Sequence, residues 1–194
     1  MSLLCLSRRT CAASLLSLAL LGCSDAGNSG SRLPPRPIGG DFVLPASTGT
    51  LDTRELRGKV LLLFFGYVNC PDVCPASMAA GAAALNALSP AERDKVRMAM
   101  ISVDPERDTT TRLKEYVAFF HPAMIGAVGT PEQTAAIAQS FGVGYVRQPT
   151  RPDGSYAVDH SALTYVVGPD GRLAEVLPLG TPTERVVTVV RGLL

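Results

Sequence analysis

Two cysteines four residues apart, Cys70 and Cys74, are the residues of this chain best suited to chemistry. They stand in Asn69-Cys70-Pro71-Asp72-Val73-Cys74-Pro75, shortly after the apolar run Val60 to Phe65. A disulfide between them would close a very small loop and add little chain-entropy stabilisation. The pair therefore reads as redox-active or metal-binding rather than as a structural staple. Thiols at the start of a helix are expected to ionise more readily than free ones, because helix N-termini stabilise negative charge. Four-residue spacing on a first helical turn puts both sulfurs on one side. There they could bridge to each other or grip one soft ion together.

Two thiolates rarely complete a metal site. The chain offers only two histidines, His121 and His160. His121, in Phe120-His121-Pro122 just past a predicted helix, reads as a surface or capping histidine. His160, in Asp159-His160-Ser161, stands directly before a predicted strand. Spacing leaves it open as a ligand or an exposed loop histidine, since ligation requires the preceding loop to fold back onto the cysteines.

The elements that must position these residues alternate. Val60 to Phe65 reads as a strand buried on both faces. Ala76 to Leu88 looks helical and stops at Ser89-Pro90. Val96 to Val103 is a second strand, with Asp104 to Asp108 its exit loop, and Thr110 to Phe120 a second helix. Met124 to Val128 is a short strand. Thr130 to Phe141 is a third helix, with Thr130 as N-cap and Pro131 at its first position. Val143 to Arg147, Leu163 to Val167 and Leu173 to Leu177 read as strands, the last two joined by Pro169-Asp170-Gly171 and hence antiparallel. Thr181-Pro182-Thr183-Glu184 has the spacing of a capping box for a terminal helix through Leu194. Alternation of this kind implies an α/β fold, a central mixed β-sheet flanked by helices. Sites in such folds form at the carboxyl edge of the strands, where the Cys pair lies. The Asp104 to Thr109 loop shares that edge. Its side chains read as helix caps (Asp108 or Thr109) and a surface ion pair (Arg107). Phe64, Phe65 and Tyr67 read as core.

The first residues read as an export signal. Arg8 and Arg9 precede an apolar run, Ala12 to Leu21, too short to span a bilayer, which takes about 20 residues. The run ends in Leu20-Leu21-Gly22-Cys23, which resembles a bacterial lipobox. The expected organisation is a lipoprotein signal peptide over 1–22, a flexible tether over 23–40 that begins with lipidated Cys23, and a domain over 41–194. Ten of the 17 residues from Ser24 to Gly40 are Gly, Pro or Ser, a composition for a linker rather than a core. Of five cysteines, Cys5 and Cys11 leave with the signal, so only Cys70 and Cys74 remain in the domain. Cleavage also removes two arginines, leaving 16 basic against 17 acidic residues. Near-neutral charge with no basic block excludes a nucleic-acid binder driven by phosphate contacts. The 46% apolar and 18% charged composition of the 194 residues excludes a disordered chain.

Gly66-Tyr67-Val68-Asn69-Cys70-Pro71-Asp72-Val73-Cys74-Pro75 resembles the signature of the Sco/SenC family, which is built on a thioredoxin-like fold. Ser102-Val103-Asp104-Pro105-Glu106-Arg107-Asp108-Thr109 is similar to that family's second motif. Asp159-His160-Ser161, with Tyr165 and Gly168-Pro169-Asp170-Gly171, resembles its third. The resemblance implies copper ligation by Cys70, Cys74 and His160. It also implies a role in maturing the dicopper (CuA) centre of cytochrome c oxidase. The oxidase's copper-bearing subunit would be the main partner, with a periplasmic copper donor or a thiol reductant as further ones. The lipid on Cys23 would hold the protein on a bacterial membrane, facing the periplasm.

The donor set suits this implication. Two thiolates and an imidazole form a soft, low-coordinate site for Cu(I), and can also take Cu(II). Zinc would want a fourth ligand. Asp72 and Asp159 are candidates to orient ligands, although Asp72 equally reads as a first-turn carboxylate. The same two sulfurs also fit a thiol–disulfide oxidoreductase, for which Cys70 and Cys74 would be the catalytic pair and His160 dispensable. A peroxiredoxin-like reading is disfavoured, because that family's Thr and Pro positions before the reactive Cys hold Tyr67 and Leu63.

Overall fold

The computed structural model describes residues 38–194. The expected signal segment, lipidated Cys23 and most of the expected tether lie outside the described residues. Ile38 and Gly39 are already tied to the folded unit: the Leu173 N–H donates to the Ile38 carbonyl at 3.0 Å, and the Gly39 N–H to the Ser140 carbonyl at 3.2 Å.

The element order is β1 (Val43–Ala46), β2 (Gly49–Asp52), a 3-10 turn (Thr53–Leu56), β3 (Val60–Gly66), α1 (Val73–Ala87), α2 (Pro90–Arg93), β4 (Val96–Ser102), α3 (Thr110–Phe120), β5 (Met124–Ala127), α4 (Pro131–Phe141), β6 (Tyr145–Arg147), β7 (Val158–His160), β8 (Leu163–Val167), β9 (Leu173–Pro178) and α5 (Thr183–Arg191). Seven strands form one sheet in the order β2-β1-β5-β4-β3-β8-β9, and β6 with β7 forms a separate two-stranded ribbon. β3 runs parallel to β4 and antiparallel to β8, so the sheet is mixed.

Every residue of β3 is buried, as its unbroken apolar run predicts for a central strand covered on both faces. One face carries α1, packed against both α3 and α5. The small residues of α1 permit a close approach: a Cβ on Gly81 would overlap the Met98 sulfur of β4. The other face carries α4, whose Phe141 packs on Phe65 and Tyr165 with ring centroids 6.0 and 6.1 Å apart.

Several sequence expectations shift. α1 begins at Val73, three residues before the predicted start, so Cys74 lies within its first turn and Cys70 in the loop ahead of it. The helix does end before Ser89, but Ser89 at once caps the short α2 through a capping box with Glu92. The capping box expected at Thr181 does not form. Its hydroxyl donates to the Pro178 carbonyl at 2.7 Å, and Pro182 occupies the N-cap of α5 without a side-chain bond. The sequence reading contains no β1–β2 hairpin; Leu44 and Ala46 on one side of β1, Leu51 of β2 and Phe42 just ahead of β1 are buried there. β7 was not anticipated either, so His160 ends a strand instead of merely preceding one. The predicted α3, the start and N-cap of α4, and β8 stand as read.

Candidate metal centre

The centre forms where β3 hands over to α1. Glycine is required at the end of the strand: a Cβ on Gly66 would lie 2.6 Å from the Cys74 sulfur and 2.7 Å from the Phe64 ring. After Gly66 the chain turns, the Cys70 N–H donating to the Tyr67 carbonyl at 3.2 Å. This turn leaves Cys70 half-buried, while the first turn of α1 carries Cys74 into the core.

The third residue arrives from 86 positions along the chain. The ribbon pairs Tyr145 with His160 and lays the imidazole against the cysteines, Nε2 lying 3.3 Å from the Cys74 Sγ. The sulfurs of Cys70 and Cys74 and a ring nitrogen of His160 all lie within 4.8 Å of one another. The His160 Nδ1 stands 3.3 Å from the Ser161 carbonyl, which fits a proton on Nδ1 and leaves the Nε2 lone pair facing the sulfurs. Phe64 and Tyr67 meet the imidazole edge to face, each with ring centroids 5.8 Å away. Tyr67 is core as predicted, yet it also accepts the Val158 N–H on its hydroxyl at 3.2 Å, two residues before His160. That contact joins residues 91 apart, and the sequence carries no local signal for it.

Burial sets the electrostatics. It pushes the Cys74 thiol far above its ordinary value, with neighbouring Cys70 adding to the rise. The sequence expectation of a lowered thiol pKa is therefore corrected at Cys74. Desolvation in the core outweighs the stabilisation of a thiolate by the helix N-terminus. Burial also lowers the His160 pKa, which favours the neutral imidazole needed of a ligand.

The neighbouring carboxylates divide differently from their sequence reading. Asp159 is exposed and accepts from the Gln148 amide at 2.6 Å. Asp72 is exposed at the N-cap of α1 and makes no capping bond. Among the described residues, neither carboxylate is hydrogen-bonded to His160. Asp108 is buried, and does not cap α3; Thr109 does, accepting from the Arg112 N–H. Asp108 instead accepts the Val68 N–H at 3.2 Å and the Ser102 hydroxyl at 2.7 Å. It thereby fastens the cysteine loop to the end of β4. The Arg107 ion pair is not on the surface: its partner Asp104 is buried. His121 is buried too. It is the C-cap residue of α3, its Nδ1 accepting the Ala123 N–H at 3.1 Å, and it lies outside the cysteine cluster.

No fourth His, Cys, Asp or Glu joins the cluster among the described residues. Two thiolates and one imidazole suit a soft monovalent ion, whereas tetrahedral zinc would lack a protein ligand and hard ions would lack oxygen.

A mixed sheet flanked by helices, with a cysteine pair at the first strand-to-helix junction of its parallel core, defines a thioredoxin-like protein. Residues 31–194 match the SCO1/SenC family model, and the chain belongs to that family. It is 40% identical over 134 residues to a mitochondrial SCO1 homolog 1 of Arabidopsis thaliana, covering 69% of this chain but 40% of the relative. The chain thus spans two fifths of that relative's length, and 47% of the mitochondrial SCO2 of Saccharomyces cerevisiae. Among solved structures, Bradyrhizobium japonicum ScoI with copper bound superposes with a TM-score of 0.74 at 38% identity, over 81% of this chain and 99% of that one. Apo Sco1 of Thermus thermophilus gives 0.73 at 40% identity, over 84% and 94%.

Proposed function

We propose that this protein is a copper-binding metallochaperone that serves the maturation of the CuA site of cytochrome c oxidase. The observation that carries this reading is the convergence of Cys70, Cys74 and His160, with donor atoms all within 4.8 Å of one another. Family membership and the copper-bound Bradyrhizobium structure support it. Copper is the cargo: Cys70 and Cys74 hold it as thiolates, and His160 supplies the third donor. The copper-bearing subunit of the oxidase is the proposed recipient. Lipidation at Cys23, after removal of residues 1–22, would anchor the carrier to a bacterial membrane on the periplasmic side.

Competition against a chromophoric Cu(I) chelator under reducing conditions tests the ligand set. Wild-type protein is expected to take up one equivalent of copper tightly. A His160→Ala variant should weaken binding by more than the ~10–100-fold typical of a lost outer partner, yet keep two titratable thiols. Unchanged affinity in that variant would refute the ligand set. Deletion of the gene should lower oxidase activity, and added copper should restore it.

The proximity of two free cysteines supports a second reading, a thiol–disulfide oxidoreductase acting on the oxidase's cysteines or in redox signalling. It assigns no role to His160. The burial that raises the Cys74 pKa weighs against that cysteine as the attacking thiolate. A His160→Ala variant with normal thiol exchange and a normal oxidase in the cell would favour this reading over copper delivery.

A further inference from the structure

His160 is carried by a weak element. β7 is three residues long and pairs only with the three-residue β6, in a ribbon separate from the main sheet. Isolated two-stranded ribbons are marginal in water. The connection between β6 and β7 has no regular structure. Something else must hold the imidazole at the cysteines, and the loop after β4 supplies it.

Near the end of that connection, Tyr156 is gripped from several sides. Its hydroxyl donates to Asp104 Oδ1 at 2.7 Å, with Glu106 Oε2 at 3.2 Å. Its carbonyl accepts from Arg107 Nη1 at 3.0 Å. The Arg107 guanidinium lies 3.5 Å from the Tyr156 ring centroid, and that of Arg147 lies 3.9 Å from it. Arg107 is itself fixed by the Asp104 carboxylate and lies 5.6 Å from the Tyr67 ring. Tyr67 completes the path, since it accepts the Val158 N–H and packs edge to face on His160. Asp104 is only 3% exposed, so this half-buried, charge-assisted anchor stands on a buried carboxylate and is not a surface ion pair.

We propose that Tyr156, clamped by Asp104 and Arg107, is the positioning residue that holds His160 at the cysteine pair. The inference rests on the reading of His160 as a copper ligand. The clamp lies before β7 and limits how far the strand can swing from β3 and α1. It substitutes for the sheet neighbours that β7 lacks. The motif Asp104-Pro105-Glu106-Arg107 thus acts on the metal centre at one remove, by gripping the segment that delivers the third ligand.

The test combines two measurements on reduced protein. Cu(I) affinity is read by chelator competition for Tyr156→Phe and Tyr156→Ala, each in the wild-type and the His160→Ala background. Amide hydrogen exchange is read on the same metal-free proteins. Tyr156→Ala should weaken Cu(I) binding about 10–100-fold, as expected of a lost outer partner. Tyr156→Phe keeps the cation–π contacts and should lose less. Neither substitution should change affinity once His160 is alanine. In Tyr156→Ala the β7 amides should exchange faster while those of β3 and β4 keep wild-type protection. Wild-type affinity in Tyr156→Ala, an equal loss in both backgrounds, or faster exchange spread over β3 and β4 would each overturn the proposal. If His160→Ala alone leaves affinity unchanged, the ligand reading fails. The exchange data then still judge whether Tyr156 holds the strand.

Discussion

At the scale of single residues, the centre is built from close approaches with little slack. Gly66 carries no side chain because the Cys74 sulfur and the Phe64 ring occupy the space a methyl group would need. Gly66→Ala must displace one or the other, and both are fully buried. Overpacking of this kind costs about 1–3 kcal/mol. Urea denaturation should register that loss, and copper titration should show weakened binding, because the displaced sulfur is one of the proposed donors. Wild-type stability and affinity together would show that the strand end yields without moving Cys74. The histidine is tuned as well as placed. Burial favours its neutral form, and the Ser161 carbonyl beside Nδ1 leaves the other nitrogen facing the sulfurs.

At the scale of elements, the metal centre depends on two loops and a ribbon being pinned to one sheet edge. Asp108 does this for the cysteine loop, joining Val68 after β3 to Ser102 at the end of β4. Burial raises its pKa, and nearby Asp104 adds to the rise. The sign of the consequence follows from proton uptake. Between the ordinary carboxylate value and the raised one, the folded chain binds more protons at Asp108 than the unfolded chain does. Stability from this group therefore falls as pH rises through that window, and the loss is complete above it. Asp108→Asn can keep an oxygen for both donors while removing the ionisation. Its stability relative to wild type should accordingly increase from about pH 4 to pH 7. Denaturation curves at several pH values would check this, and a constant difference would show that Asp108 ionises as freely folded as unfolded.

At the scale of the whole molecule, the centre closes a long-range link. Copper would tie α1 and its preceding loop to the β6–β7 ribbon, joining parts of the chain that the unfolded state leaves far apart. A ligand present at 100 times its dissociation constant stabilises the native state by about 2.7 kcal/mol. For a domain of this size that corresponds to roughly 5–10 °C in Tm. Reduced wild-type protein should show such a rise with Cu(I), and His160→Ala should show far less. Air-oxidised protein is expected to gain nothing until a reductant is added, because a Cys70–Cys74 disulfide offers no thiolate for copper. An equal rise with and without reductant would remove the redox gate.

Much of this architecture was legible before folding was considered. The unbroken apolar run of β3 announces a central strand, and Thr130-Pro131 announces the start of α4. These are local signals, a period or a cap whose partners lie within one turn. Thr181 shows their limit: the spacing of a capping box was present, but the Pro178 carbonyl offered its hydroxyl a nearer partner. Asp159 shows another. Adjacency to His160 suggested an orienting carboxylate, but successive residues of a strand point to opposite faces, and Gln148 received it.

What the sequence determined by itself was the chemistry on offer: a soft thiol pair at a strand-to-helix junction, and one histidine whose motif resembled a ligand's. What only the tertiary structure decided was whether that histidine meets the pair, how deeply Cys74 is desolvated, and which side chains steady the ribbon. The physical reason is range. Propensity, capping and spacing act over a few residues, whereas the contacts of Cys74 with His160 and of Tyr67 with Val158 span 86 and 91 positions. Such contacts exist only once a long, irregular connection has been folded back and clamped.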